Sequence, residues 1–461
     1  MLHDLSLETI IEITSGKLIQ NDASDNSQEH PVCQWVSTDT RQMKQNSLYI
    51  PLVGDRFDGH AFAQDALDAG ATVMLAEREV NTKLVVIRVK STLKALADIA
   101  AWQRQQFNGP VIGVTGSAGK TTVKQLTADV LSQQYNTWMT QGNLNNHIGV
   151  PLTLLALMPE HEAAMIEMGA SGEGEIKYTA KLVCPKVGIL TNVAAAHLEG
   201  FGDLETIVRT KGELIDCIME DGVAVINRDE KFADQWIKRA EHLTIKTYGF
   251  SLAADYRAEN IVGSITSSQF ELHAENQVFS VTLPLPGEHN VRNALAVVAA
   301  TRAIGMSFDQ IINGLENAQG VAGRLQTVKG DKDQTIINDA YNANPTSMKA
   351  AIDVLAHAEK SWLVMGDMAE LGENAEQMHI DVGNYAAQKK IQNFIATGRL
   401  SKKAADAFGE NAKWFYERDE VIDYLNKITS AQDTILIKGS RSSSMDEVVR
   451  GITKITQQGE H

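Results

Sequence analysis

Residues 111–122 read Val-Ile-Gly-Val-Thr-Gly-Ser-Ala-Gly-Lys-Thr-Thr, and no other stretch restricts the fold as much. A short apolar run enters a glycine-rich turn, after which Val123, Leu126, Val130 and Leu131 recur at helical spacing. That order predicts a strand, a tight turn and a helix. Successive N–H groups of such a turn point inward and make an anion nest, and the helix adds its positive N-terminal end. Gly116, Ser117, Ala118, Gly119, Lys120, Thr121 and Thr122 are therefore candidate ATP ligands. Lys120 is suited to neutralising β/γ-phosphate charge, and Thr121 offers a hydroxyl to Mg²⁺. The strict pattern G-x4-G-K-[ST] is not met, because its first glycine falls on Val114. The loop has the form T-G-x-x-G-K-T-T. The plainer alternative is an ordinary strand–helix turn with a chance lysine.

A chain of 461 residues is too long for one ordinary core, so two or three domains are expected. Residues 1–88 mix strand candidates (47–52, 72–75, 84–89) with a helix candidate near 61–69. A helical stretch with Leu93, Leu96, Ala97 and Ala100 on one face follows, and Asn108-Gly109-Pro110 breaks it. Beyond the loop, apolar runs at 165–168, 187–190 and 223–226 alternate with helical patterns, which predicts a parallel sheet covered by helices. The alternation restarts near Gly320-Val-Ala-Gly323, with strand candidates at 335–338, 363–365, 394–396 and 434–437. The expected fold is α/β in three domains. These are a mixed α/β domain over 1–88, a central parallel-sheet domain carrying the phosphate loop over 89–319, and a doubly wound, Rossmann-like domain over 320–461.

Composition narrows the function. A formal charge of −16 argues against a nucleic-acid binder, which needs basic surface. Cys33, Cys184 and Cys217 have neither metal-ligand spacing nor the even count of a disulfide framework, which fits a reducing cytoplasm. The N-terminus lacks a basic stretch followed by an apolar core, so no signal peptide is expected. No apolar run approaches the roughly 20 residues of a membrane span.

Several ionisable groups fall where a sheet would present them to a ligand. Glu167 ends an apolar strand, at the edge where parallel sheets bind ligands, and can hold a metal or simply end a strand at the surface. His197 follows the strand candidate at 187–190 and can ligate a divalent cation as neutral imidazole or serve structure alone. Lys211 lies among Ile207, Val208, Leu214 and Ile215, in the middle of an apolar helix face. It is either a snorkelling lysine or a partly buried amine of lowered pKa, and such an amine can add CO₂ to give a carbamate that binds Mg²⁺. Asn290 and Asn293 are one helical turn apart and can meet an adenine edge, or Asn290 is a helix N-cap. Arg324, at a domain junction, can reach a γ-phosphate. Asp339, beyond a strand end, can take ribose hydroxyls.

Together these pieces resemble the Mur ligase family over nearly the whole chain and in the family's motif order. Thr115-Gly-Ser-Ala-Gly-Lys-Thr-Thr122 matches its ATP loop. Glu167 matches its acidic central-domain residue, Thr191-Asn192 through His197 its Mg²⁺-binding histidine segment, and Lys211 its carbamylated lysine. The stretch Gly287–Asn293, with His289, Asn290 and Asn293, is similar to its adenine contacts. Arg324 and Asp339 match its γ-phosphate and ribose contacts. Gly142-Asn-Leu-Asn-Asn-His-Ile-Gly-Val-Pro151 resembles the substrate loop of the branch that adds D-alanyl-D-alanine, pointing to Asn143, Asn145 and Asn146. Asp339-Ala-Tyr-Asn-Ala-Asn-Pro-Thr-Ser-Met348 resembles that branch's third-domain signature, pointing to Asn342 and Asn344. Lys438-Gly-Ser-Arg-Ser-Ser-Ser-Met445 resembles its C-terminal loop. Ser37-Thr-Asp-Thr-Arg41 and Gly54-Asp-Arg-Phe-Asp-Gly-His60 resemble its UDP-sugar region, with Thr40 and Arg41 as contacts. Thr40 stands where relatives that add the third residue commonly carry Ser, and the hydroxyl is kept. Those that add diaminopimelate carry Asp-Asn-Pro-Arg, whereas Asn342-Ala-Asn-Pro-Thr346 lacks the Arg.

The resemblance implies ATP-dependent ligation of D-alanyl-D-alanine to UDP-N-acetylmuramoyl-tripeptide through an acyl phosphate. It further implies two Mg²⁺ ions, carbamylated Lys211 and a monomer in the cytoplasm. The competing expectations are a folylpolyglutamate synthase or another Mur ligase on the same plan, and a nucleotide-gated switch.

Overall fold

The computed structural model describes residues 1–19, 31–54, 56–194 and 201–453. Three main sheets follow one another along the chain. The first has five strands in the order Lys17–Ile19, Val85–Arg88, Ala71–Ala76, Ser47–Tyr49, Trp35–Ser37, parallel except for the first. The run expected over 47–52 is a strand only to Tyr49. Pro51 follows, and it has no N–H to give a ladder.

The central sheet has nine strands in the order Gln277–Leu283, Ser268–Ala274, Tyr256–Gly263, Thr244–Gly249, Val223–Asn227, Val187–Leu190, Val111–Thr115, Ala163–Glu167, Thr137–Met139. The last seven of these run parallel. Val111–Thr115 is wholly buried at the point where the winding of the chain reverses, and the phosphate loop leaves its C-terminal end. Open α/β sheets hold ligands at such a reversal. One face packs under the helices Lys120–Leu131, Glu288–Ala303 and Phe308–Glu316. The opposite face shares one continuous apolar core with the first sheet. The helix Thr92–Gln105 bridges the two, packing on Leu7–Thr14 and on Gly149–Leu155.

The antiparallel ribbon 256–283 was absent from the sequence expectation. Its clues are the strict in–out alternation of Ser268–Ala274 and the two-residue turn Glu275-Asn276, both at positive φ, which suits a hairpin twist.

The third sheet has six strands in the order Gln326–Lys329, Thr335–Asp339, Thr434–Lys438, Ser361–Met365, Asn393–Thr397, Ala412–Phe415. The first is antiparallel and the rest parallel, with helices on both faces around cores of their own. Among the described residues, no helix is long and apolar enough to cross a membrane.

Candidate active site

The phosphate loop is locked by backbone geometry and by the neighbouring strand. Gly116 and Gly119 both adopt positive φ. A Cβ on Gly116 would collide with Thr191 Oγ1, and one on Gly119 would lie 2.6 Å from Asn293 Oδ1. Asn192 clasps the turn, accepting from the Ala118 N–H at 2.8 Å and donating to the Ala118 carbonyl at 3.2 Å. Thr191 donates to the same carbonyl at 2.7 Å. The loop is therefore rigid before any ligand arrives, so little ordering entropy is lost on binding. Lys120 Nζ donates to Gly116 O at 2.7 Å, and burial lowers its pKa despite the pull of Glu167.

Glu167 is buried at the C-terminal end of its strand. Its Oε1 accepts from Thr121 Oγ1 at 3.2 Å and from Asn145 Nδ2 at 2.8 Å. Its Oε2 has no hydrogen-bond partner among the described residues and faces Lys124 Nζ at 3.8 Å. Lys124 escaped the sequence reading. It lies one helical turn beyond Lys120, is buried, and donates to Thr140 O at 2.8 Å. The available signal was a lysine flanked by Val123 and Leu126 on a helix face that must pack.

From the third domain, Arg324 Nη2 donates to Thr121 Oγ1 at 3.1 Å, with its guanidinium 4.3 Å from the centre of the Tyr341 ring. Asp339 pairs with buried Lys438 at 2.7 Å and accepts from the Leu325 N–H at 3.2 Å. His289 is pushed down to about 4 by burial, so it is neutral near pH 7. Asn290 is not the N-cap of its helix. Gly287 holds that position, and Asn290 Nδ2 donates to Pro286 O at 2.8 Å while Oδ1 accepts from Asn293 at 3.2 Å. A glycine at positive φ makes the turn there, which leaves the two Asn side chains facing the loop.

Two cavities meet at Lys120. A cleft of about 430 Å³ runs between the central and third domains, lined among others by Thr121, Asn293, Arg324, Asp339 and Lys438. A second cavity of about 210 Å³ lies on the other side, lined by Asn146, Gly169, Glu175, Phe201 and Lys211. Ser117, Lys120 and Asn145 border both. A larger depression of about 510 Å³ on the outer ribbon, around Lys246, Arg257 and His273, is separated from the loop by the inner strands. Lys211 is buried, its ammonium 5.5 Å from the centre of the Phe201 ring, and desolvation first and Lys120 second bring it down to about 7.

The other expected residues divide. Asn143 lines the cleft, and Asn146 accepts from the Gly149 N–H at 2.8 Å. Asn342 and Asn344 also line the cleft, but Asn344 Oδ1 is committed to capping the helix Pro345–Leu355. Thr40 and Arg41 sit on a short turn of the first domain and border neither cavity, with Arg41 paired to Asp39 at 2.7 Å. His197 lies outside the described residues.

Three family models match consecutive parts of the chain. These are the Mur ligase family catalytic domain at residues 33–104, the Mur ligase middle domain at 114–301, and the Mur ligase glutamate ligase domain at 323–441. The chain is 41% identical to the UDP-N-acetylmuramoyl-tripeptide–D-alanyl-D-alanine ligase of Escherichia coli (strain K12), over 90% of this chain and 93% of that protein. It belongs to the Mur ligase family. Among solved structures, this Mur ligase superposes on MurF from Acinetobacter baumannii with a TM-score of 0.90 at 34% identity, covering 97% of this chain and 98% of that one. MurF ligase from Thermotoga maritima in complex with ADP gives 0.81 at 27% identity, covering 90% and 96%. The Mur ligase architecture of three α/β domains is thus the one seen here.

Proposed function

We propose that this Mur ligase joins the tripeptide carboxylate of UDP-N-acetylmuramoyl-tripeptide to the amine of D-alanyl-D-alanine, with ATP giving ADP and phosphate. One observation carries the reading: two cavities, one fit for a nucleotide and one for a carboxylate substrate, share the wall formed by Ser117, Lys120 and Asn145. A phosphoryl group held at that wall faces both. The curated relative named for this reaction supports the choice of substrates, and the ADP complex of the Thermotoga maritima relative supports the nucleotide.

In the first step a carboxylate oxygen attacks the γ-phosphorus in line. The bond to the β–γ bridging oxygen breaks, and ADP leaves with that electron pair. The loop amides of 116–120 and Lys120 hold the charge spread over the transferring oxygens. In the second step the dipeptide amine attacks the acyl carbonyl, phosphate leaves, and the nitrogen loses a proton. Arg324 holds the γ-phosphate side, Asp339 the ribose, and His289, Asn290 and Asn293 the adenine side. Asn143, Asn145 and Asn146 face the tripeptide, Asn342 and Asn344 the dipeptide, and Thr40 and Arg41 the UDP-sugar.

The residues suit magnesium. Glu167 Oε2 is a buried acceptor without a hydrogen-bond partner among the described residues, on the carboxylate that faces the Thr121 hydroxyl, and Mg²⁺ prefers hard oxygen donors with phosphate oxygens completing its shell. Thr121 and Glu167 would hold one ion, and His197 with carbamylated Lys211 a second. Bound there, the ions supply neutralisation of triphosphate charge. In this reading the enzyme acts as a monomer, and nucleotide-linked substrates favour the cytoplasm.

ADP release with UDP-N-acetylmuramoyl-tripeptide, measured with and without D-alanyl-D-alanine, tests the reading. Steady turnover only when both acceptor and donor are present is expected. Equal ADP release without the dipeptide would instead make this a nucleotide hydrolase or switch.

A further inference from the structure

The incoming dipeptide carries two ends of opposite demand. Its amine must reach the acyl phosphate, and its carboxylate must be held elsewhere by a cation. Most cations of the interdomain cleft are already committed. Lys120 donates to Gly116 O, Arg324 to Thr121, and Lys438 to Asn342 O while pairing with Asp339. Arg292 pairs with Asp229 and stacks on Phe250. Arg441 differs. It is exposed, and among the described residues its guanidinium has no hydrogen bond or ion pair and meets only the Tyr341 ring, at 5.8 Å from its centre. Tyr341 lines the cleft and stacks on its other neighbour, Arg324, which touches the phosphate loop.

The place of Arg441 in the fold is equally specific. Strands Ser361–Met365, Asn393–Thr397 and Ala412–Phe415 step outward across the third sheet, and Thr434–Lys438 then returns to lie beside Ser361–Met365. The helix before that return, Arg418–Ile428, packs on the opposite face from Pro345–Leu355. The winding therefore reverses between Met365 and Lys438, and a crevice outside the carboxyl ends of strands at a reversal is where such sheets take ligands. Arg441 stands three residues past Lys438 and flanks that crevice through Tyr341, which lines it.

The backbone beneath Arg441 is fixed although its side chain is free. Ser440 donates from its N–H to Asp367 O at 2.9 Å and from its hydroxyl to the same oxygen at 2.7 Å. Ser443 Oγ donates to Ser440 O at 2.6 Å. A Cβ on Gly439 would lie 3.1 Å from Gly366 Cα, so the two strand ends touch. A guanidinium without a competing partner, carried on a turn whose backbone is held, can turn to take a carboxylate in two parallel N–H···O bonds.

We infer that Arg441 anchors the C-terminal carboxylate of the incoming dipeptide and so selects acceptors with a free acid there. This rests on the dipeptide-ligase reading above. The test compares D-alanyl-D-alanine with its C-terminal carboxamide as acceptor, in the wild type, Arg441→Gln and Arg441→Lys, by ADP release. In the wild type the amide should show a KM about 10- to 100-fold above that of the acid, the effect of losing a charge-assisted pair. In Arg441→Gln the KM for the acid should rise by a similar factor, the acid–amide ratio should fall to near one, and the KM for ATP should stay put. Arg441→Lys should recover part of the ratio. If Arg441→Gln keeps the wild-type ratio, or the wild type accepts acid and amide alike, the anchor is wrong while ligation stands. If the wild type releases no ADP in response to either dipeptide, both readings fall together. The side chain is exposed, so a thermal melt like that of the wild type is expected for each variant.

Discussion

Lys120→Ala is expected to lower dipeptide-dependent ADP release by about a thousandfold or more, with the fold kept. One preorganised charge aimed at a transferring phosphoryl group is worth about that much. Lys120 sits where both cavities meet, so no other described lysine substitutes for it. Lys124, one turn on, is turned toward Thr140 O and Glu167 instead. Folding should survive because the side chain donates only to Gly116 O and Ser117 O, in a loop braced independently by Thr191 and Asn192. A coupled ADP assay beside a circular-dichroism melt separates the two. Wild-type turnover by a normally folded variant would remove the loop from the mechanism.

The second large effect is expected at Lys211. An ordinary lysine, at pKa near 10.4, is neutral in only about one molecule in 2,500 at pH 7. Lys211, brought down to about 7 by burial and by Lys120, is neutral in about half at that pH. Only the neutral amine adds CO₂, so the adduct should form readily at and above neutrality and be lost as pH falls below about 7. Lys211→Ala should reduce ligation by about a hundredfold or more if a ligand to a catalytic ion is removed. Millimolar acetate or formate should restore part of it by placing a carboxylate in the vacated space. Full activity without a rescuing acid would leave Lys211 a buried lysine whose ammonium lies over the Phe201 ring.

How much of this was legible in the sequence depended on the range of the interactions involved. The phosphate loop was readable because a strand, a nest of amides and a helix start are local, set within about a dozen residues. Lys211 was readable because its place among Ile207, Val208, Leu214 and Ile215 already put it on a packed face. The ribbon 256–283 was not, since its strands pair with partners whose register depends on the edge of a sheet built earlier in the chain. Lys124 was not, since a lysine's burial is decided by Thr140 and Glu167, brought in from two other strands' ends. The capping alternative for Asn290 failed because Gly287, at φ +94°, begins the helix three residues sooner than the side-chain preference suggests.

The continuous apolar core between the first and central sheets has a mechanical meaning. Two sheets that share side-chain packing move as one block, whereas the third domain has cores of its own, touched from the central domain by Ile265 of the ribbon, and is reached by a single chain crossing near residue 320. There Asp129 accepts from the Gln319 N–H at 3.1 Å, pinning the crossing to the helix that begins at the phosphate loop. The crossing is thus fastened to the helix that follows the phosphate loop. A change in the third domain's position would be passed through that fastening to the loop where the nucleotide's phosphates would sit.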